Sequence, residues 1–367
     1  MPKAHDDTGS GRGVHVLVVD DSAVVRQVMT AILSPQPGMS VAVAADPLIA
    51  REKMKRARPD VILLDLEMPR MDGLTFLREI MATDPIPVVV CSALTGTSTE
   101  GAMNALYEGA VEVITKPRID VQDFLEESAV RLVDAIRAAA AARLSRLVRL
   151  RPVPIEKKHP ADVVLRPQPP AVAANASALI AIGASTGGTE ALRVLLEAMP
   201  ADAPGIVVVQ HMPERFTAAF ARRLDEGCAL SVKEAEAGDV ITPGRAFIAP
   251  GDRHLIVRAA GGGYVCDVRE GPLVSRHRPS VDVLFRSVAQ AAGHRAVGVI
   301  LTGMGDDGAA GLLEMKTAGA VTFAQDEATS VVFGMPKEAI ARGAAGEVLP
   351  LARIAPAVRR VCSGEED

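Results

Sequence analysis

Two sets of residues in this chain have types and positions suited to chemistry. The first is acidic: Asp20 and Asp21, then Asp65, with Ser92 and Lys116 further on. Each stands at the end of a short apolar run, where a strand would finish. Three carboxylates converging on one edge repel unless a cation sits among them, and hard oxygen ligands of this kind suit Mg²⁺. A metal-bound carboxylate beside a lysine and a hydroxyl can attack a phosphoryl donor, because the cations and the donor hydroxyl neutralise charge on the transferred group. The second set is a hydroxyl, an imidazole and a carboxylate. Ser185 lies in Gly183-Ala184-Ser185-Thr186-Gly187-Gly188, His211 follows GIVVVQ, and Asp306-Asp307 lie in Gly303-Met304-Gly305-Asp306-Asp307-Gly308. Nucleophile, base and orienter are the parts of an activated serine. Gly183-x-Ser185-x-Gly187 fits a sharp strand-to-helix elbow, and the helix after it would aim backbone N–H groups at an oxyanion near Ser185.

Each set has a plainer reading. Acidic residues at strand ends cap helices. GASTGGTE also suits a phosphate-cradling loop or a helix start capped by Ser185 or Thr186. A histidine at a strand end can be structural, and Asp-Asp-Gly can simply turn the chain. No Walker lysine follows the glycines and no GxGxxG is present, which weakens nucleotide binding. The order Ser…His…Asp also differs from that of α/β-hydrolases. Joint placement at strand ends favours the chemical readings. The other histidines are weaker candidates: His254 lies in a strand-like segment and His294 precedes a strand. His277, inside SRHRPSVD, is expected to do structural or substrate-orienting work from a loop, with Ser280 capping a helix that begins near Val281.

The elements that must position these residues can be read from periodicity. VHVLVV (14–19), VAVAA (41–45), DVILLD (60–65), PVVVCSA (87–93) and VEVITK (111–116) are strand-like, with helical patterns between them. Near-continuous apolar strands mean that both sheet faces are covered, so the sheet is parallel and flanked by helices. Five such units make a flavodoxin-like (βα)5 domain over 13–130. From Asp123 to about Leu150 the pattern is purely helical. Six prolines between Arg151 and Ser177 then block helix and ladder alike, so 131–177 reads as a helical and Pro-rich linker. Strands resume with ALIAIGA (178–184), GIVVVQH (205–211), AVGVILTG (296–303), AVTFAQ (320–325) and GEVLP (346–350). Residues 228–271 read as short strands with a hairpin across AAGGG (259–263). Residues 178–367 are therefore a second, doubly wound and mainly parallel α/β domain with an antiparallel hairpin insertion.

Composition narrows the function. Forty Lys+Arg against forty-five Asp+Glu give a net charge of −5 over 367 residues. Nucleic acid and anionic membranes select basic surfaces, so neither is the expected partner. Residues 178–367 carry 19 Lys+Arg and 23 Asp+Glu, a net −4, and are too strand-rich for a helix-turn-helix. The polar N-terminus has no signal-peptide core, and no apolar run approaches a membrane span. Cys91, Cys228, Cys266 and Cys362 lie far apart with no CxxC, which suits a reduced cytoplasm.

On these residues two resemblances become specific. DD at 20–21, DLEMPRMDGL from 65, SA at 92–93 and KP at 116–117 resemble a response-regulator receiver domain. IGASTGGTEAL, QHMP, RHRPSVDVLF and LTGMGDDGAAGL resemble the catalytic domain of the chemotaxis protein-glutamate methylesterases, the CheB family. Receiver, linker and catalytic domain in that order match the family architecture. The receiver resemblance implies that Asp65 accepts the phosphoryl group, that Asp20, Asp21, Asp65 and the backbone of Glu67 hold Mg²⁺, and that Ser92 and Lys116 sense the phosphoryl oxygens. Val113 departs from it, standing where many receivers carry an aromatic switch residue. The catalytic resemblance implies Ser185 as nucleophile, His211 as base and Asp307 as orienter, with Met304 contributing its backbone near the oxyanion and Thr186 supporting Ser185. The family usually has Asn where this chain has Asp306, and an extra carboxylate there is expected to raise the pKa of one of the pair. The implied activity is hydrolysis of glutamate γ-methyl esters on chemoreceptors, with deamidation of receptor glutamines and no cofactor for the ester reaction. The implied phosphodonor is a chemotaxis sensor histidine kinase, and the receiver inhibits until phosphorylated. The alternative is a receiver joined to a catalytically silent partner-binding module.

Overall fold

The computed structural model describes residues 13–68, 71–92, 96–116, 122–144, 159–170 and 177–364. The N-terminal unit runs β1 (Val14–Val19), α1 (Ala23–Leu33), β2 (Met39–Ala44), α2 (Pro47–Arg56), β3 (Val61–Asp65), α3 (Gly73–Thr83), β4 (Val88–Ser92), α4 (Gly96–Tyr107), β5 (Glu112–Thr115) and α5 (Gln122–Leu144). Its five strands are parallel in the order β2-β1-β3-β4-β5, the flavodoxin-like arrangement. β3 and β4 are buried at every position, which is why their sequences are unbroken apolar runs rather than alternating ones. Strand order reverses at β1, so the carboxyl ends of β1 and β3 bound a crevice holding Asp20 and Asp65. The expected boundary at residue 130 falls inside α5. Leu132, Val133, Ile136 and Ala139 of that helix are buried against Val16, Leu63 and Val89 of the sheet.

The C-terminal unit continues with β6 (Leu179–Ala184), α6 (Gly188–Glu197), β7 (Gly205–Gln210), α7 (Phe216–Gly227), β8 (Ser231–Glu234), β9 (Val240–Ile241), β10 (Arg245–Ile248), β11 (His254–Ala260) and β12 (Gly263–Arg269). It ends with α8 (Val281–Ala292), β13 (Ala296–Ile300), α9 (Ala309–Thr317), β14 (Val321–Gln325), α10 (Met335–Ala341), β15 (Glu347–Leu349) and α11 (Leu351–Ser363). The main sheet has the order β15-β14-β13-β6-β7-β10-β8 and is parallel throughout. β6 is paired with β13 on one side and β7 on the other, so it marks the switch point where ligands bind in open α/β sheets. The hairpin across 259–263 is β11–β12, turning at Gly261-Gly262, and β9 completes a small antiparallel sheet. The stretch 228–271 is not all insertion, however. β8 and β10 pair in parallel and extend the main sheet, because Ala246, Phe247 and Ile248 are apolar at consecutive positions and buried on both faces.

Of the expected Pro-rich linker, residues 151–158 and 171–176 lie outside the described residues, as do 145–150 of the helical run. Residues 159–170 lie against α8. Ala161 packs on Ile256, Val274 and Val283, and Asp162 pairs with Arg286 at 2.5 Å. Arg286 also holds Glu314 and the Leu165 carbonyl. Among the described residues, no helix is long and apolar enough to cross a membrane.

The end of β6 is packed so closely that its glycine is obligatory. A Cβ on Gly183 would lie 2.2 Å from Cγ1 of Val281 and 3.2 Å from the Phe285 ring, both on α8. Gly183→Ala is therefore expected to destabilise the chain by about 1–3 kcal/mol through overpacking, read as a lower urea midpoint. An unchanged midpoint would show that α8 can move away from β6 at no cost.

Candidate active site and phosphoacceptor site

The pairing of β6 with β7 and β13 brings the second set of candidates together. Ser185 follows β6, His211 follows β7, and the Gly303–Gly308 loop follows β13. Ser185 is 6% exposed and its amide donates to the Thr302 carbonyl at 3.0 Å, which pins the elbow to the neighbouring strand. Gly187 then turns the chain at φ 76°, a conformation with no strain for glycine, and a Cβ there would strike Val331 at 2.5 Å. Gly187 is itself the N-cap of α6, with no side-chain capping bond, so neither Ser185 nor Thr186 is spent on capping.

His211 Nε2 lies 2.8 Å from Asp307 Oδ2. Asp307 is 1% exposed and sits at the start of α8, where a helix presents unpaired N–H groups. Ser280 Oγ (2.8 Å) and the Asp282 amide (3.1 Å) donate to its Oδ1, and the Val281 amide (2.8 Å) donates to Oδ2. Burial alone would raise the Asp307 pKa. The His211 hydrogen bond, the nearby imidazoles and the Asp282 amide overcome that and hold the carboxyl below the ordinary carboxylate range. An ionised Asp307 can only accept, so His211 Nε2 carries a proton and donates it to Oδ2. Nδ1 of His211 is buried and has no hydrogen-bond partner.

His277 meets this ring from the loop before α8. The two imidazoles stack with centroids 3.7 Å apart and planes 6° from parallel. Burial, and then the neighbouring His211, push the His277 pKa well below its usual value, so this ring stays neutral. Ser275 and Arg276, just before it, both adopt positive φ (49° and 72°), a strained pair for non-glycine residues. His254 is buried behind the site, with Nε2 3.0 Å from the Pro272 carbonyl and Nδ1 accepting from the Ser280 amide. His294 is distant, packed beside Gly319.

Asp306 does not play the part expected of it. Its side chain faces Arg342 at 3.3 Å, and the carboxyl that is raised is Asp282. Burial and the charge of Asp307 are the main causes there, with Asp306 a minor contributor. Two further residues were not singled out by type and spacing. Gln210 Nε2 donates to the carbonyls of Ser185 (2.9 Å) and His211 (3.2 Å), joining the ends of β6 and β7; its only sequence signal is the QHMP run. The other is Glu112, from β5.

Thr186 Oγ1 donates to Glu112 Oε2 at 2.8 Å, across the two units. A cavity of about 110 Å³ lies between them. Ser185, His211, His277 and Met304 line it from one side, and Val113, Arg131 and Asp134 from the other. Arg276 pairs with Asp134 at 3.2 Å, and Arg223 of α7 lies 5.1 Å from the Tyr107 ring of α4. The N-terminal unit thus covers the mouth of the serine site.

The first set of candidates also converges. Lys116 Nζ lies 2.9 Å from Asp20 Oδ2 and 2.7 Å from Asp65 Oδ2. Carboxylate oxygens of Asp20, Asp21 and Asp65 lie within 4.8 Å of one another. The Glu67 amide donates to Asp65 Oδ1 at 3.2 Å, and Ser92 is buried at the end of β4. Helix capping is done by others, Ser22 for α1, Asp46 for α2 and Asp72 for α3, so this acidic group is left for other work. Burial pushes the Asp65 carboxyl up, Asp20 adds to this, and Lys116 offsets part of it. Two buried carboxylates, Asp20 and Asp65, with the exposed Asp21 and one lysine beside them, are a donor set that a divalent cation fits. Pro69, Arg70, Ala93 and Pro117 of the quoted motifs lie outside the described residues.

Comparison with known proteins agrees with this geometry. Residues 16–127 match the response regulator receiver domain family and residues 180–358 match the CheB methylesterase family. Over 360 residues the chain is 60% identical to protein-glutamate methylesterase/protein-glutamine glutaminase 5 of Anaeromyxobacter dehalogenans, covering 98% of this chain and 99% of that protein. It is 58% identical to protein 3 of the same name from Geobacter metallireducens, covering 95% and 99%. The CheB methylesterase catalytic domain of Thermotoga maritima superposes with a TM-score of 0.50 at 40% identity, covering 50% of this chain and 98% of that one. On this agreement along almost its whole length, the chain belongs to the CheB family of protein-glutamate methylesterases/protein-glutamine glutaminases.

Proposed function

We propose that this chain is a receiver-gated serine hydrolase that removes methyl groups from glutamyl γ-esters of chemoreceptors and deamidates receptor glutamines. The observation that carries the reading is His211: Asp307 fixes one ring nitrogen, the other is buried with no hydrogen-bond partner, and the ring lines the same cavity as Ser185. In this mechanism Ser185 Oγ attacks the γ-carbonyl and its proton passes to His211 Nδ1. The Ser185 amide is committed to Thr302, so stabilisation of the oxyanion falls to donors elsewhere, with the backbone at Met304 on the facing loop. His211 returns the proton to the leaving methanol, or to ammonia when the substrate is an amide. Water then adds to the acyl-enzyme by the same route and releases glutamate. No cofactor takes part in these steps.

Asp65 is the phosphoryl acceptor in this reading, and a chemotaxis sensor histidine kinase is the donor. Asp20, Asp21, Asp65 and the Glu67 backbone would hold Mg²⁺, which supplies charge neutralisation for the incoming phosphoryl group. Lys116 and Ser92 stand beside the acceptor to bind the added oxygens. Reaction and substrate tails belong to the cytoplasm, where four unpaired thiols are at home.

Three variants test the assignments by methanol release. Ser185→Ala is expected to lose about 10³-fold or more in kcat with the fold intact, and near-native turnover would remove Ser185 from the mechanism. Asp307→Asn is expected to cost a comparable factor at neutral pH. In the wild type the orienting charge is complete above the ordinary carboxylate range and is lost only as pH falls through the depressed Asp307 value. A variant with native kcat at neutral pH would refute that role. Asp65→Asn is expected to abolish stimulation by acetyl phosphate; surviving stimulation would place the modified residue elsewhere.

A further inference from the structure

The esterase reading leaves Glu112 unused, although it is the receiver side chain that reaches the residue next to the nucleophile. We propose that Glu112 is a built-in stand-in for the substrate glutamyl group, its γ-carboxyl held by the Thr186 hydroxyl where an acyl group of the receptor would bind. The inference rests on the reading that Ser185 and Thr186 face a glutamyl side chain, and adds that the receiver inhibits by filling this position as well as by covering it.

The chemistry of the contact is that of substrate binding. The Thr186 hydroxyl donates to Glu112 Oε2, and ester, amide and acid all offer a carbonyl oxygen to such a donor. A glutamyl γ-carboxyl is also the product of the reaction. It is the one acyl group the site can hold without net turnover, since hydrolysis would only exchange the oxygen it expels for another from water. The contact spans 74 residues of sequence, between the first residue of β5 and the elbow, so it exists only while the two units are docked.

The surroundings favour the neutral form of this carboxyl. Burial, reinforced by Asp134 and opposed by the Thr186 hydrogen bond, raises the Glu112 pKa to about 7. The groups that share its cavity are Arg131 and Asp134 from α5, Arg276, His277 and Arg278 from the loop before α8, and His211 after β7. Arg276 is engaged by Asp134 and Arg278 by Asp252, so these cations are matched locally. The docked carboxyl holds its proton more tightly than a free one. Docking is therefore strongest at low pH and weakens as pH rises from the ordinary Glu range through about 7.

The test uses the full chain and methanol release from methylated receptor membranes, with and without acetyl phosphate, at about pH 6 and about pH 8. Glu112→Ala is expected to raise the unphosphorylated rate at least about fivefold, towards the stimulated rate, and to leave the stimulated rate unchanged. Glu112→Asp keeps the charge but is one methylene too short to reach Thr186, and is expected to behave like Glu112→Ala. Glu112→Gln accepts the same hydrogen bond and never ionises, so it is expected to stay inhibited. Its stimulation ratio should be the same at both pH values, whereas the wild-type ratio should fall at the higher pH. Wild-type inhibition in Glu112→Ala, retained inhibition in Glu112→Asp, or release in Glu112→Gln equal to that in Glu112→Ala would each overturn the proposal while leaving the esterase reading in place. A wild-type chain inert even with acetyl phosphate would overturn both.

Discussion

The buried Asp307 carboxylate at the start of α8 is the interaction on which the catalytic half is arranged. Removing a carboxylate from water costs several kcal/mol, and hydrogen bonds to a charged group return roughly 1.5–3 kcal/mol each. Ser280 Oγ, the Val281 and Asp282 amides and His211 Nε2 together meet that cost. The arrangement therefore adds little net stability, and what it supplies is position. Oδ2 of Asp307 meets both His211 Nε2 and the Val281 amide, and Oδ1 takes Ser280 Oγ and the Asp282 amide, so one carboxylate fixes the ring and the first turn of α8, whose Val281 packs under Gly183 at the end of β6. Ser185, His211 and Asp307 are thus held by one connected body spanning β6, β7, α8 and β13.

The receiver is attached to that body differently. An apolar cluster runs through both units, with Met103 and Val113 of the receiver in the same cluster as Met212, Phe216 and Phe220 of the other unit. Beside it stand polar contacts: a hydroxyl on a carboxyl at Thr186–Glu112, ion pairs at Arg276–Asp134 and Arg131–Asp252, and a guanidinium over a ring at Arg223–Tyr107. Such an interface suits a switch. A hundredfold change in the open population needs only about 2.7 kcal/mol of differential stability. Within the receiver, Asp65 sits at the end of β3 and Glu112 at the start of β5, two strands away, while Lys116 at the far end of β5 already bridges Asp20 and Asp65. β5 therefore links the phosphoacceptor crevice to the serine cavity, with Val113, not an aromatic residue, on the cavity wall.

Much of this was legible in the sequence because strand ends can be read from apolar runs, and in parallel sheets strand ends are where ligands bind. Asp20, Asp65, Ser185, His211 and Asp307 were all reachable by that argument. Parts that depend on which strand lies beside which were not. β8 and β10 are too short for periodicity to separate a parallel edge from a hairpin, and the extent of α5 in the receiver core follows from packing. Asp306 beside Asp307 invited a like-charge argument, but adjacent residues in a turn point apart, and the coupled carboxyl is Asp282, 25 residues away in sequence. The stack of His277 on His211 and the reach of Glu112 into the other domain have no local signature at all.

The central claim is that a hydrolytic serine site and a phosphoacceptor in one chain are coupled through their interface. It is tested most directly by methanol release from methylated chemoreceptor membranes with the wild-type chain, measured with and without acetyl phosphate and Mg²⁺. The account predicts slow release that rises steeply when both are present. Release that is absent under every condition, although Asp65 is shown to be phosphorylated, would contradict it and leave a receiver joined to a binding module.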